Sequence, residues 1–159
     1  MKKIKMKKIN SNLFKKSISK FSTGVTIITI KKDNKYIGKT VNSFTSLSLD
    51  PPLVLFSLGK KSSSIDIYKN STILGINILS KKQKFISQHF SSKKPKWENI
   101  KFFISKNDIP MIYDCVVNLS CKLIKVLSEG DHIIFICKIS EVLIDDKKKP
   151  LVYFNSKYI

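Results

Sequence analysis

The sequence predicts a mainly β domain, a small antiparallel barrel with a few short α-helices on its periphery. Three observations predict it. Short β-branched and apolar runs recur along the chain. Neighbouring runs are joined by turn clusters such as KDNK, SEGD and KKKP, which make hairpins. Stretches with helical spacing are few and short. The 159 residues suit one domain with a core and are few for two, and no internal repeat or linker composition interrupts them.

The elements follow in order. MKKIKMKKIN is basic and no apolar segment follows it, which predicts a disordered tail over 1–10 and a folded domain over 11–159. Ser11 caps a short helix in which Leu13, Phe14, Ile18 and Phe21 share a face, and Gly24 ends it. VTIITI (25–30) and YIGKTV (36–41) form a hairpin across KDNK. Pro52 has no N–H for a ladder, so it falls at the very start of the next strand, LVLFSL. SSSIDIYKN (62–70) is a short capped helix and TILGINIL (72–79) a strand.

Ser80 then caps a helix with Phe85, Ile86 and Phe90 near one face. Residues 91–111, polar and with Pro95 and Pro110, form the least regular part, a candidate lid or dimer arm. From 117 to 123, Val117, Leu119, Cys121 and Leu123 alternate with Asn118, Ser120 and Lys122, the pattern of a half-buried strand. HIIFICKISEVLI runs back as a long strand, and LVYFNSKYI supplies a last short one.

The net charge of +19 suggests a polyanion partner, either nucleic acid or an anionic membrane. Yet the chain holds no Arg and no Ala, a bias toward A/T-rich codons, and its lysines are scattered. Arg is the usual reader of phosphate and guanine, so a solvated lysine surface is the better reading, with no specific nucleic-acid partner. Three cysteines without C-x-x-C or Cys/His spacing argue for reduced thiols, a cytoplasmic protein and no metal site. No apolar run is long enough to span a bilayer, so no membrane partner is expected.

One stretch carries chemistry. GKTVNSFTSLSLDPPLVLFSLG (38–59) loads Thr40, Ser43, Thr45, Ser46 and Ser48 between two apolar runs. It has neither the P-loop nor the dinucleotide glycine pattern. Its hydroxyls and main-chain N–H groups can ring a phosphate and a polyol chain, although composition alone favours an ordinary Ser/Thr-rich turn.

The order of the pieces adds to this. TGVTIIT, GKTVNSFTSLSLDPPLVLFSL, GINIL, GDHIIFICKISEV and PLVYFNSKY together resemble the flavin reductase family, from about 14 to 158. The resemblance implies an FMN-binding split β-barrel of Greek-key, antiparallel type. It implies an NAD(P)H:flavin oxidoreductase that hands reduced flavin, by diffusion, to a separate flavin-dependent monooxygenase or other acceptor. FMN or FAD would be the flavin, NADH or NADPH the hydride donor, and the protein a homodimer with the flavin near the subunit interface.

Carried over by position, Thr40, Val41 and Asn42 run beside the isoalloxazine ring. Ser43, Ser46, Leu47 and Ser48 belong to the stretch that holds the ribityl chain and phosphate, with Lys60 and Ser62 close to that phosphate. His132, in GDH, matches the family histidine beside the nicotinamide and is the candidate catalytic residue; Tyr153 would help hold the nicotinamide cofactor. A lone histidine at a strand start is more often a surface residue, and His89 is read as one. Trp97, Phe102 and Phe103 are read as core packing before a cover for flavin or dimer seam.

The chain departs from the family pattern at Lys39, where Met is frequent, and at Cys137-Lys138, where Gly-Glu is frequent. It also lacks the His and Arg-Gly of the last stretch. These departures bear on nicotinamide contacts. The rival readings are an FMN-binding electron carrier without NAD(P)H oxidation and a Lys-rich nucleic-acid module.

Overall fold

The computed structural model describes residues 6–159, so half of the expected tail over 1–10 lies outside the described residues. Residues 6–10 are exposed and carry no regular structure. Helix α1 (Ser11–Ile18) is capped by Asn10 rather than by Ser11: the Asn10 side chain accepts from the Leu13 N–H at 2.9 Å. The helix ends at Ile18, well before Gly24. Its expected apolar face is not buried, for Phe14, Ile18 and Phe21 are 55%, 58% and 75% exposed.

The strands are β1 (Thr23–Gly24), β2 (Thr26–Lys32), β3 (Lys35–Val41), β4 (Thr45–Ser48), β5 (Leu53–Gly59) and β6 (Ile73–Ile78). They continue with β7 (Phe102–Ile104), β8 (Pro110–Ile112), β9 (Val117–Glu129), β10 (His132–Ile144), β11 (Val152–Phe154) and β12 (Lys157–Tyr158). Helix α2 (Ile65–Lys69) links β5 to β6, and a 3₁₀ turn (Lys81–Gln83) leads into α3 (Lys84–Ser91). Asp33 and Asn34, with φ of 50° and 60°, make the two-residue turn between β2 and β3. Pro52 stands just before β5, as expected, and its carbonyl accepts from the Ile139 N–H at 3.0 Å.

Seven strands form one antiparallel sheet in the order β3-β2-β6-β9-β10-β5-β4. Its two edge strands, β3 and β4, are joined by only residues 42–44. Laid flat, seven strands would hold their edges about 29 Å apart. The link from Val41 to Thr45 reaches at most about 14 Å. The sheet therefore curls until its edges meet. At the meeting point the Ser43 hydroxyl donates to the Ser57 carbonyl at 3.0 Å and accepts from the Ser57 N–H at 2.9 Å, a side chain standing in for a ladder pair.

The lumen is filled by Ile28, Ile30, Phe56, Leu74, Ile76 and Phe135, each fully buried. Phe56 and Phe135 stack at 4.9 Å between centroids. Tyr68 of α2 is fully buried with this cluster, and its hydroxyl donates to the Ile28 carbonyl at 2.9 Å. A second core lies outside the sheet, where Val25, Ile27, Leu79, Phe90, Ile100, Ile112 and Leu151 pack beneath α3. Strand β2 serves both cores, which is why VTIITI has no polar face.

Several expectations change. Strand β9 is not half-buried at its start: Asn118 and Ser120 are 7% and 2% exposed, because the β7–β8 hairpin covers their face. That hairpin replaces the irregular lid or arm expected over 91–111. It is held by a buried network in which Asn77 donates to the Ile27 carbonyl at 2.9 Å and accepts from the Ile112 N–H and from Asn118, both at 2.8 Å. Thr29 adds a 2.6 Å bond to the Pro110 carbonyl. Gly75 allows the approach, since a Cβ there would lie 2.9 Å from the Met111 sulfur. Phe85 is 68% exposed, because the buried face of α3 runs through Ser87 and Phe90. Trp97 packs edge-on against Tyr36 and Phe102, the core-packing reading.

Cys115, Cys121 and Cys137 are free and buried. Burial pushes the Cys115 and Cys137 thiols up to about 12 and raises Cys121 as well. Among the described residues, no helix is long and apolar enough to cross a membrane and no group of three or more His, Cys, Asp or Glu could hold a metal ion.

Two predictions follow from this packing. A Cβ at Gly38 would meet the Phe90 ring at 2.5 Å. Gly38→Ala is expected to destabilise the fold by about 1–3 kcal/mol, seen as a lower urea midpoint at unchanged slope. The native protein is expected to leave all three thiols unreacted with a thiol reagent at pH 8, while the unfolded chain reacts at three. The thiols favour the native state fully below their ordinary value of 9.0, and this advantage is lost as pH rises from there toward about 12.

Candidate functional site

The closing seam places the hydroxyl-rich stretch. Thr40 and Val41 end β3, and Asn42 opens the link to β4. They line a cleft of about 190 Å³ together with Val25, Ser87 and Ser91, and with Tyr153 and Tyr158 of the C-terminal hairpin. The Thr40 hydroxyl donates to the Ser87 carbonyl at 2.7 Å, and the Ser87 hydroxyl bonds the Tyr158 hydroxyl at 2.9 Å. Tyr153 and Tyr158 meet edge to face at 5.2 Å, and the Lys84 ammonium sits 5.9 Å from the Tyr158 ring centre.

The wall has unused donors. The main-chain N–H groups of Asn42, Ser43 and Phe44 have no partner among the described residues. Thr23, the ladder partner of Tyr153, has a buried hydroxyl without a partner. Such groups suit a ligand that brings acceptors of its own. The cleft is below the roughly 300–1,000 Å³ usual for a complete small-molecule site.

The remaining members of the expected flavin stretch are placed differently. Ser43 spends its donor on Ser57. Ser46 is exposed and pairs with Val54, and Leu47, 47% exposed, sits in the register shift between Ser46 and Ser48. Ser48 is half-buried opposite Leu53.

A second group gathers at the end of β5. His132 is the ladder partner of Gly59, and Lys60 and Ser62 follow Gly59 directly. The Lys60 N–H donates to the Asp131 carbonyl at 2.9 Å and its ammonium to the Gly130 carbonyl at 2.7 Å. The Ser62 N–H donates to the Gly59 carbonyl at 3.0 Å in a tight turn. The His132 Nδ1 lies 2.7 Å from the Asp131 carboxylate. That hydrogen bond, then the histidine's charge, holds the Asp131 carboxyl below its ordinary value. An ionised carboxylate only accepts, so Nδ1 donates this bond, and Nε2 faces Gly59. Ser43 joins this group to the cleft: it lies across from Ser57, whose other neighbour is Ile134 of β10, about 10 Å away.

The structure thus brings Thr40, Val41, Asn42 and Tyr153 together in one cleft and Lys60, Ser62 and His132 in a second group beside it. Sequence reasoning missed Ser87, Ser91 and Tyr158, which come from α3 and the last strand, and missed Asp131, whose place next to His132 was a visible signal.

Residues 18–159 match the family described as flavin reductase like domain. The chain is 35% identical over 127 residues to the FMN reductase (NADH) SmoA of Agrobacterium fabrum, covering 80% of this chain and 73% of that protein. It is 34% identical over 154 residues to HsaB of Mycobacterium tuberculosis, the reductase subunit of a flavin-dependent monooxygenase, covering 94% of this chain and 82% of that one. Among solved structures it is similar to the flavin reductase PheA2 in its native state, with a TM-score of 0.88 at 34% identity over 95% of this chain and 97% of the other.

The seam yields a prediction of its own. Ser43→Ala removes both bonds to Ser57. It is expected to lower stability by about 1–3 kcal/mol and to make the cleft wall exchange its amide protons faster, read by urea titration and hydrogen exchange.

Proposed function

This chain belongs to the flavin reductase like domain family, and on that premise we propose that it is an NADH-dependent flavin reductase which passes reduced flavin to a separate oxygenase. The observation that carries the reading is the Thr40–Asn42 wall with its free N–H donors, one seam away from His132. FMN is the proposed flavin and NADH the proposed donor, in line with the printed activity of the Agrobacterium relative.

A bound flavin supplies the ring that accepts a hydride from the nicotinamide. The chain's share is binding, orientation and field. The N–H groups of Asn42, Ser43 and Phe44 would hold the polar edge of the ring and stabilise negative charge there. Tyr153 and Tyr158 would wall the cleft against water. Ser46, Leu47 and Ser48 would lie along the ribityl chain, with Lys60 and Ser62 toward the phosphate. Asp131 orients the His132 ring through Nδ1, so Nε2 would be presented to the polar amide of a nicotinamide.

A homodimer is part of this proposal. The cleft is too small for a whole flavin, and beside it Leu47 and Leu49 are 47% and 93% exposed, so a second copy would complete the site. Three buried free cysteines favour a reducing compartment, the cytoplasm.

The test is NADH absorbance with purified protein. NADH is expected to be consumed only when FMN and protein are both present. Retained FMN with no loss of NADH or NADPH would instead make the chain an electron carrier. His132→Ala is expected to lower kcat/KM for NADH by about tenfold or more while the Kd for FMN stays within about twofold.

A further inference from the structure

A second, larger cleft opens at the far end of β10 from His132. Its volume is about 770 Å³, within the roughly 300–1,000 Å³ of ordinary small-molecule sites. The 3₁₀ turn after β6, the Tyr113–Asp114 turn after β8 and the turn after β10 wall it, and none of the residues assigned to flavin or nicotinamide lines it.

Its charge is one-sided. Lys81, Lys82, Lys101, Lys147, Lys148 and Lys149 line it against the single carboxylate of Asp114. That carboxylate is already taken by Lys148, at 3.2 Å, and Lys148 also meets Asp145 at 3.1 Å. The other five lysines have no ion pair among the described residues. A lysine-rich chain does not produce this by itself: in the cleft of about 470 Å³ beside the β2–β3 turn, Lys31 and Lys32 are balanced by Asp33 and Asp108. The fold also draws like charges together here, since the Lys81 N–H donates to the Lys149 carbonyl at 2.8 Å and Ser80 bridges Pro150.

The rest of the lining is not charged. Ile86 and Ile112 contribute to it, as does Tyr113, a residue 51% exposed whose ring meets Phe103 at 5.1 Å. The Gln83 amide is already used, donating to the Tyr113 carbonyl at 2.8 Å and accepting from the Ser80 N–H at 2.9 Å. A lysine rim suits phosphates, and an apolar and aromatic lining suits a base. We propose that this cleft binds a nucleoside diphosphate, its phosphates on the lysine rim and its base against Tyr113 and Ile86.

The test is calorimetric titration of the full chain with ADP, with inorganic pyrophosphate in parallel. One ADP is expected per chain, bound more tightly than pyrophosphate and released as salt rises. The double variant Lys81→Glu/Lys149→Glu is expected to weaken ADP by about tenfold or more while NADH oxidation with saturating FMN is unchanged. Tyr113→Ala is expected to weaken ADP and leave pyrophosphate as it was. If the first pair fails to fold by circular dichroism, Lys82→Glu/Lys147→Glu reads the same rim. Absence of ADP binding, unchanged ADP affinity in the charge-reversed variant, or pyrophosphate binding as tight as ADP would overturn the proposal.

Discussion

Val41 and Thr45 belong to strands at opposite edges of the seven-stranded sheet, yet three residues join them. Much of the molecule depends on that short link. It leaves the sheet no choice but to curl, and curling creates a lumen that six or more large apolar side chains must fill. It also prevents a regular ladder at the point of closure, because residues 42–44 are turning rather than running straight. Ser43 bridges the gap with its side chain, and the neighbouring main-chain donors are left over. The N–H groups of 42–44, without partners among the described residues, are a by-product of closing the barrel, so the fold and the candidate cleft share one constraint.

The sheet needs a second layer because its outer face is not polar enough to meet water. Ile27 and Leu79 have Phe90 of α3 and the C-terminal hairpin over them, and Asn77, Asn118 and Thr29 have the β7–β8 hairpin. The asparagines are satisfied by one another and by the backbone of the covering strand, which makes their burial tolerable. Glycines at 38 and 75 let these outer pieces come close. The same outer layer supplies Ser87, Ser91 and the two tyrosines to the cleft beside Thr40, and the turns at its other margin form the basic cleft.

Local patterns were legible where one residue's own chemistry decides. The β-branched run at 25–30, the Asp33–Asn34 turn, the placing of Pro52 and the buried thiols all read directly. Patterns that depend on a distant partner were misread. Asn118 and Ser120 looked solvent-facing because alternation shows only that two faces differ, not what covers each. Phe14 and Ile18 looked like a packing face, but nothing in the described chain lies against them. Residues 91–111 looked irregular because the hairpin within them is stabilised by Asn77, a residue far away in sequence.

The sequence by itself determined the class of fold and the elements of most of the sheet, since propensity and turn chemistry are local properties, whereas the ligand reading of 38–62 rested on the order of the pieces along the chain, because the loaded hydroxyls alone favour a turn. Only the tertiary structure decided which of those hydroxyls remain free. Ser43 is committed to the seam and Thr40 to Ser87, so at the 42–44 link the donors turned toward the cleft include main-chain groups that carry no side-chain signature. It alone joined Tyr153 and Tyr158 to Thr40, and gathered lysines from two turns and from the residue before β7 into one cleft. The reason is physical: a hydrogen bond or a charge has meaning only against its partner, and in this barrel most partners lie on another strand.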